Sequence, residues 1–248
     1  MGINYYAGCE KAKAFELAKL LIQAYQFYNQ SKKGESLPQQ ITLETGTYDI
    51  HAYIKGKAIC IEATKLLGFI ATQGNQAYVI FRGTASMSEW VCDGEIHQAN
   101  FLPGWGKVHN GFHEIYTTCA QTVIDTLNKL PTNVDTLLIS GHSLGAAIST
   151  LALADIMAST RFKKPVHYTY SSPRVGDPEF FEKFQSSVQQ SYRIHNTEDI
   201  VPTEPVAVAL ISFGIGSLYA HVGLPFPFTH PGSSIAENHL LETAMKYL

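Results

Sequence analysis

Residues Thr136 to Ala147, TLLISGHSLGAA, run from a β-branched and leucine-rich segment straight into small residues, with Ser143 held between Gly141 and Gly145. Gly-x-Ser-x-Gly at the junction of a strand and a helix is the nucleophile-elbow pattern. Its demand is geometric. The turn is so tight that the serine takes strained backbone angles, and a Cβ on either flanking residue would strike the adjoining strand or helix. Glycine at both places removes those clashes. The helix expected from Leu144 then aims unpaired N–H groups and a positive dipole end at the hydroxyl. With this chain's glycine and serine frequencies the pentapeptide arises by chance in about one such sequence in ten, so it must be tested against the partners it requires. Its place, after an apolar strand and before an alanine-rich helix, favours the mechanical reading over a structural turn serine.

A serine hydroxyl is a poor nucleophile until a base takes its proton, and the base needs an acid to orient it. Around such an elbow the order along the chain is Ser, then Asp or Glu, then His. The acids that follow a strand are Asp177, Glu198 and Asp199. Asp177 precedes Pro178, where capping a helix explains it. Asp199, in RIHNTEDIVP, falls where the chain leaves the sheet's carboxyl edge, the side on which open α/β sheets bind ligands. It is the expected acid. Three histidines follow. His221, in LYAHVG, alternates with apolar residues and reads as a strand histidine; His230, beside Pro231, reads as a loop residue; His239 falls at or near the start of the last helix. The residues alone favour His239 over the other two, without closing the choice. His142, inside the motif, reads as a packing or surface residue. An oxyanion hole needs two donors, each worth about a hundredfold or more in rate. Leu144 supplies one through its N–H, and Thr84, after the strand in AYVIFRGT, is the candidate for the other.

Phe15, Ala18, Ile22 and Tyr25 repeat at helical spacing and predict a helix over roughly residues 9–30. LLGFIAT and QAYVIF read as a hairpin with Gly74 and Asn75 in the turn. Phe112, Ile115, Cys119, Val123 and Leu127 predict one long helix ending before Pro131. VHYTYS and SYRIHN are strands around a helix near residues 178–190, and Ser234 and Glu237 are spaced as a capping box. Strands alternating with helices from Val134 onward indicate parallel pairing, hence an α/β fold. With 248 residues, 45% of them hydrophobic, the chain has the material for one α/β domain over residues 1–248.

Eighteen basic and 21 acidic residues leave a net charge of −3, which gives no reason to expect a nucleic-acid partner. Cys9, Cys60, Cys92 and Cys119 form no CxxC pair, so free thiols are expected and a cysteine metal site is not. The N-terminus lacks the basic start and apolar run of a signal peptide. A cytoplasmic chain is the default expectation, and a secreted one follows if a leader has been removed. The most apolar stretch, Val206 to Ala220, falls short of the roughly 20 residues of a transmembrane helix.

VIFRGT, SEWVCD, VHNGF, GHSLGAA, SSPRVGD, NTEDIVP and YAHVG occur in this order. Together they resemble the class 3 lipase family, the α/β-hydrolases that include fungal triacylglycerol lipases, over roughly residues 45–248. The resemblance implies an α/β-hydrolase fold with a mostly parallel central sheet and helices on both faces. It implies Ser143 as nucleophile, Asp199 as acid, His239 as base, and Thr84 with Leu144 as the oxyanion hole. It also implies a lid after the oxyanion loop, at 85–95, where Met87, Trp90 and Val91 have i, i+3, i+4 spacing. The implied activity is hydrolysis of acyl esters through an acyl-enzyme, with an acylglycerol or other ester as substrate, transient contact with a lipid–water interface, and neither metal nor organic cofactor. A short-chain or feruloyl-type esterase, a phospholipase of the same fold, and an inert hydrolase-fold binding protein are the alternatives. The chain departs from the family in lacking an aromatic residue soon after His239 and in an unusually apolar stretch between Asp199 and YAHVG.

Overall fold

The structure, a computed structural model, describes residues 8–58, 61–84, 97–211 and 214–248. The first half runs α1 (Lys11–Lys32), β1 (Gln40–Leu43), β2 (Gly46–Ala58), β3 (Ile61–Gln73), β4 (Gln76–Phe81), β5 (Gln98–Asn100), β6 (Lys107–His109), α2 (Asn110–Thr117) and α3 (Ala120–Lys129). The second runs β7 (Thr136–His142), α4 (Leu144–Ser159), β8 (Val166–Tyr170), α5 (Pro178–Ser187), β9 (Gln190–Asn196), β10 (Val208–Ile211), β11 (Gly214–Leu218), β12 (Leu224–Phe228), α6 (Ile235–His239) and α7 (Leu241–Met245).

Among the described residues one sheet has eight strands in the order β1-β2-β3-β4-β7-β8-β9-β12. Its first four strands are joined by antiparallel pairing, and every pairing from β4 to β12 is parallel. The hairpin of β3 and β4 turns at Gly74, whose φ of +60° suits a residue without a Cβ. Side chains alternate across β7: Leu137 and Ile139 face α2 to α5, and Leu138 faces α1 and α7. Helices therefore cover both faces, as an α/β-hydrolase fold requires. Buried Leu17, Leu20, Leu21 and Ala24 form the apolar stripe of α1. Hydrogen bonds fix its position as well. Glu16, buried, accepts from Tyr48 at 2.8 Å and Tyr78 at 2.7 Å, and the Tyr170 hydroxyl reaches the carbonyl of Ala14.

The helix predicted across residues 112–127 is two helices. The ladder breaks at Thr118 and Cys119, where the Thr118 hydroxyl donates to the Ile115 carbonyl at 2.7 Å and accepts the Lys57 N–H of β2 at 3.1 Å. Both pieces keep the same apolar period because both pack on the same core. Cys9 and Cys119 are free and buried, and Cys60 and Cys92 lie outside the described residues.

Two histidines are almost wholly buried, His142 and His167, the latter hydrogen-bonded to Ser149 at 2.9 Å and Ser191 at 3.0 Å. Burial pushes both pKa values down to about 3. The unfolded chain takes up these protons below about pH 6.5, whereas the folded chain resists until far lower pH. Stability should therefore fall as pH drops from about 6.5 toward 3, by at most about 1.4 kcal/mol per pH unit for each ring. A urea midpoint at pH 5 clearly below that at pH 7 is the expected result, and equal midpoints would contradict it.

Candidate active site

The β7–α4 turn fits only because two glycines let backbones touch. A Cβ on Gly141 would meet the Gly145 carbonyl oxygen at 2.1 Å, and one on Gly145 would meet the Phe81 oxygen at 2.2 Å. Contacts that short do not occur between real atoms, so any larger residue must push β7, α4 and the end of β4 apart. Ser143 carries the strain, with φ 58° and ψ −127°. Its side chain is thereby raised above the sheet edge at the start of α4, where the first N–H groups have no partner within the helix. Leu144 is the first of them.

The hydroxyl meets an imidazole. His239 Nε2 lies 2.8 Å from Ser143 Oγ, and His239 Nδ1 lies 2.8 Å from Asp199 Oδ2. Asp199 is 3% exposed, and its other oxygen, Oδ1, accepts the N–H of Val201 at 3.0 Å. A carboxylate so placed accepts the Nδ1 proton, which leaves the Nε2 lone pair directed at the serine hydroxyl. The three groups form a path along which one proton can move from serine to imidazole, with the imidazolium that results held by a buried carboxylate.

The other candidates are engaged elsewhere. Asp177 caps α5, accepting from the Phe180 N–H at 2.8 Å. His221 is not in a strand: it follows an isolated bridge at Ala220, and its Nε2 donates to the Pro202 carbonyl at 2.7 Å. His230 lies in a loop with Nδ1 2.8 Å from the Tyr247 hydroxyl. His142 is buried and hydrogen-bonded at both ring nitrogens, which a packing or surface role does not require.

Thr84 is half-exposed and follows Gly83, where an added Cβ would come within 2.8 Å of Ser143 Cβ. The loop thus runs beside the serine. Met87, Trp90 and Val91, and with them the lid at 85–95, lie outside the described residues.

Two asparagines not picked out from the sequence lock the loops that carry Asp199 and His239 together. Asn196, 1% exposed at the end of β9, donates to the His230 carbonyl at 3.0 Å and the Asn238 carbonyl at 3.2 Å, and accepts the His230 N–H at 2.9 Å. Asn238, beside His239, donates to the Glu198 carbonyl at 3.2 Å. Arg174 of SSPRVGD donates to the carbonyls of Thr203 and Pro205, which braces the loop after Asp199. An asparagine ending a strand just before an acid carries a weak signal of such a clamp. Its partners, more than 30 residues away, are invisible in sequence.

The sequence model of the family described as lipase (class 3) matches residues 78–209, more than half of the chain. A lipase of Rhizomucor miehei is 33% identical over 138 residues, covering 52% of this chain and 38% of that protein. Phospholipase A1-II 3 of Oryza sativa subsp. indica is 35% identical over 171 residues, covering 55% of this chain and 40% of that one. The chain thus spans about two fifths of the length of these curated relatives. Among solved structures, the Rhizomucor miehei lipase–propeptide complex superimposes with a TM-score of 0.68 at 24% identity, covering 92% of this chain and 75% of that one. Among the described residues no helix is long and apolar enough to cross a membrane. A family model spanning the elbow, the FRG loop and Asp199, on an α/β-hydrolase fold, has one meaning: the chain belongs to the class 3 lipase family.

Proposed function

We propose that this chain is a serine carboxylic ester hydrolase that cleaves acyl esters of acylglycerols through an acyl-enzyme. The observation that carries the proposal is the relay of two 2.8 Å hydrogen bonds from Asp199 through His239 to Ser143. Ser143 Oγ attacks the ester carbonyl carbon while its proton passes to His239 Nε2. The oxygen that gains negative charge is held by the N–H of Leu144 and by Thr84. The C–O bond to the alcohol breaks, and His239 returns the proton to the departing oxygen. Water then repeats the sequence on the acyl-enzyme, with His239 as base, and releases the fatty acid. The mechanism asks for no metal or organic cofactor.

A fluorophosphonate should label Ser143 stoichiometrically, and p-nitrophenyl esters of rising chain length should be cleaved faster once they pass their solubility limit. A wild-type protein that neither labels nor turns over any ester would refute the proposal. The similarity to a rice phospholipase A1 supports a second substrate reading. Release of fatty acid from phosphatidylcholine vesicles faster than from a triacylglycerol emulsion would move the assignment to phospholipids while leaving the mechanism unchanged.

A further inference from the structure

His142, within the elbow, and Tyr25 take no part in the relay, yet their hydrogen bonds reach Gly83 beside it and His239 within it. The Tyr25 hydroxyl lies 2.7 Å from His142 Nδ1, and the same oxygen accepts the N–H of Gly83 at 2.9 Å. His142 Nε2 lies 3.0 Å from the carbonyl oxygen of His239. The two imidazoles sit with centroids 4.9 Å apart, and Tyr25 meets the His142 ring edge-on.

With the His142 ring neutral, these contacts permit only one arrangement of protons. A carbonyl cannot donate, so His142 Nε2 must carry a proton. Burial at 5% exposure keeps the ring neutral, so Nδ1 has none and must accept from Tyr25. The Tyr25 oxygen, having donated its proton, is free to accept from Gly83. Withdrawal of the phenol from water raises its pKa, so the tyrosine holds that proton. The direction runs without a break from Gly83 N–H to Tyr25, from Tyr25 to His142, and from His142 to the His239 carbonyl.

We propose that Tyr25 and His142 are positioning residues, a proton-ordered chain that holds the oxyanion loop, the elbow and the base in mutual register. The inference rests on the hydrolase reading and adds a role for α1, a helix far in sequence from the other site elements. Each end of the chain grips main chain rather than a reacting group: Gly83 precedes Thr84, and the His239 carbonyl belongs to the base itself. Bonding at that carbonyl also accounts for a local departure from helix. The His239 oxygen is turned to His142, and Leu240 follows with φ −65° and ψ 138°, so α6 ends at the base. Neutrality of His142 matters for the chemistry as well. His239 becomes an imidazolium in each half-reaction, and a second cation at stacking distance would oppose that step.

Tyr25→Phe keeps the ring and removes the hydroxyl, leaving the Gly83 N–H and His142 Nδ1 without this partner. A reacting group displaced by about 1 Å can cost a hundredfold, and so can loss of one oxyanion donor. The expected result is a kcat lower by roughly 10- to 100-fold with KM within about twofold, and fluorophosphonate labelling of Ser143 slowed by a similar factor. Tyr48→Phe removes a hydroxyl that binds Glu16 of the same helix at 2.8 Å. It should lower the thermal midpoint with kcat unchanged, which separates anchoring of α1 from positioning of the site. Wild-type kcat in Tyr25→Phe would overturn the inference. A second measurement needs no turnover: ¹⁵N spectra of His142 at pH 7 should show the Nε2–H tautomer in wild type. An Nδ1–H or doubly protonated ring would overturn the chain of bonds even if esters are cleaved, whereas an inactive protein with the Nε2–H ring would fail as a hydrolase with the network intact.

Discussion

Ser143→Ala is expected to lower ester turnover about a millionfold and abolish fluorophosphonate labelling while leaving the protein folded. The substitution is clean because alanine keeps the Cβ that already occupies this strained position, at φ 58°, so nothing in the turn is relieved or worsened. What goes is one oxygen, with its 2.8 Å hydrogen bond to His239 Nε2. A factor of a million corresponds to about 8 kcal/mol of transition-state stabilisation. Positioning and oxyanion donors remain in the variant, so a residual rate above that of water is expected, but without the covalent step. Thermal midpoints of the two proteins should agree within a few degrees. Near-normal hydrolysis by the variant would remove Ser143 from the chemistry and the proposed mechanism with it.

The elbow was legible in the sequence because all its requirements are local. Two glycines, a serine, an apolar strand before and a small-residue helix after lie within twelve consecutive residues. Asp199 was nearly as legible, since strand ends are marked by composition and a sheet's carboxyl edge is where ligands sit. The base was not. Local context separates His221, His230 and His239 only weakly, because their partners at Pro202, Tyr247 and Ser143 lie 19, 17 and 96 residues away. For the same reason His142 read as a packing residue. Its bonds reach 117 residues back and 97 forward, and no spacing rule spans such distances. The predicted helix over Phe112 to Leu127 failed differently. Apolar periodicity reports which face is buried, and two helices meeting at Thr118 with both faces on one core give nearly the same pattern. The capping box at Ser234 was half realised. Ser234 Oγ accepts the Glu237 N–H at 3.1 Å, but the Glu237 carboxylate reaches back to Ser233 instead, at 2.8 Å to its N–H.

Asp199→Asn is expected to cost about ten-thousandfold in kcat with little change in folding, and the reason is a proton in the wrong place. Each carboxylate oxygen of Asp199 accepts: Oδ1 from the Val201 N–H at 3.0 Å and Oδ2 from His239 Nδ1 at 2.8 Å. Asparagine has one acceptor and one donor to offer. Turned with its NH₂ toward Val201, it would set two donors against each other in a buried site, at a cost of about 1–3 kcal/mol. It should therefore keep its oxygen on Val201 and present the NH₂ to His239. Nδ1 must then accept, which moves the ring's single proton to Nε2, facing Ser143. An imidazole in that tautomer cannot take the serine proton, although every heavy atom stands where it stood before. Spectra of ¹⁵N-labelled His239 should show the exchange of tautomer, and kinetics should show the loss in kcat with KM little changed. A variant that keeps wild-type kcat would mean that the imidazole needs no carboxylate to fix its proton, and the relay through His239 would have to be abandoned as the source of the activity.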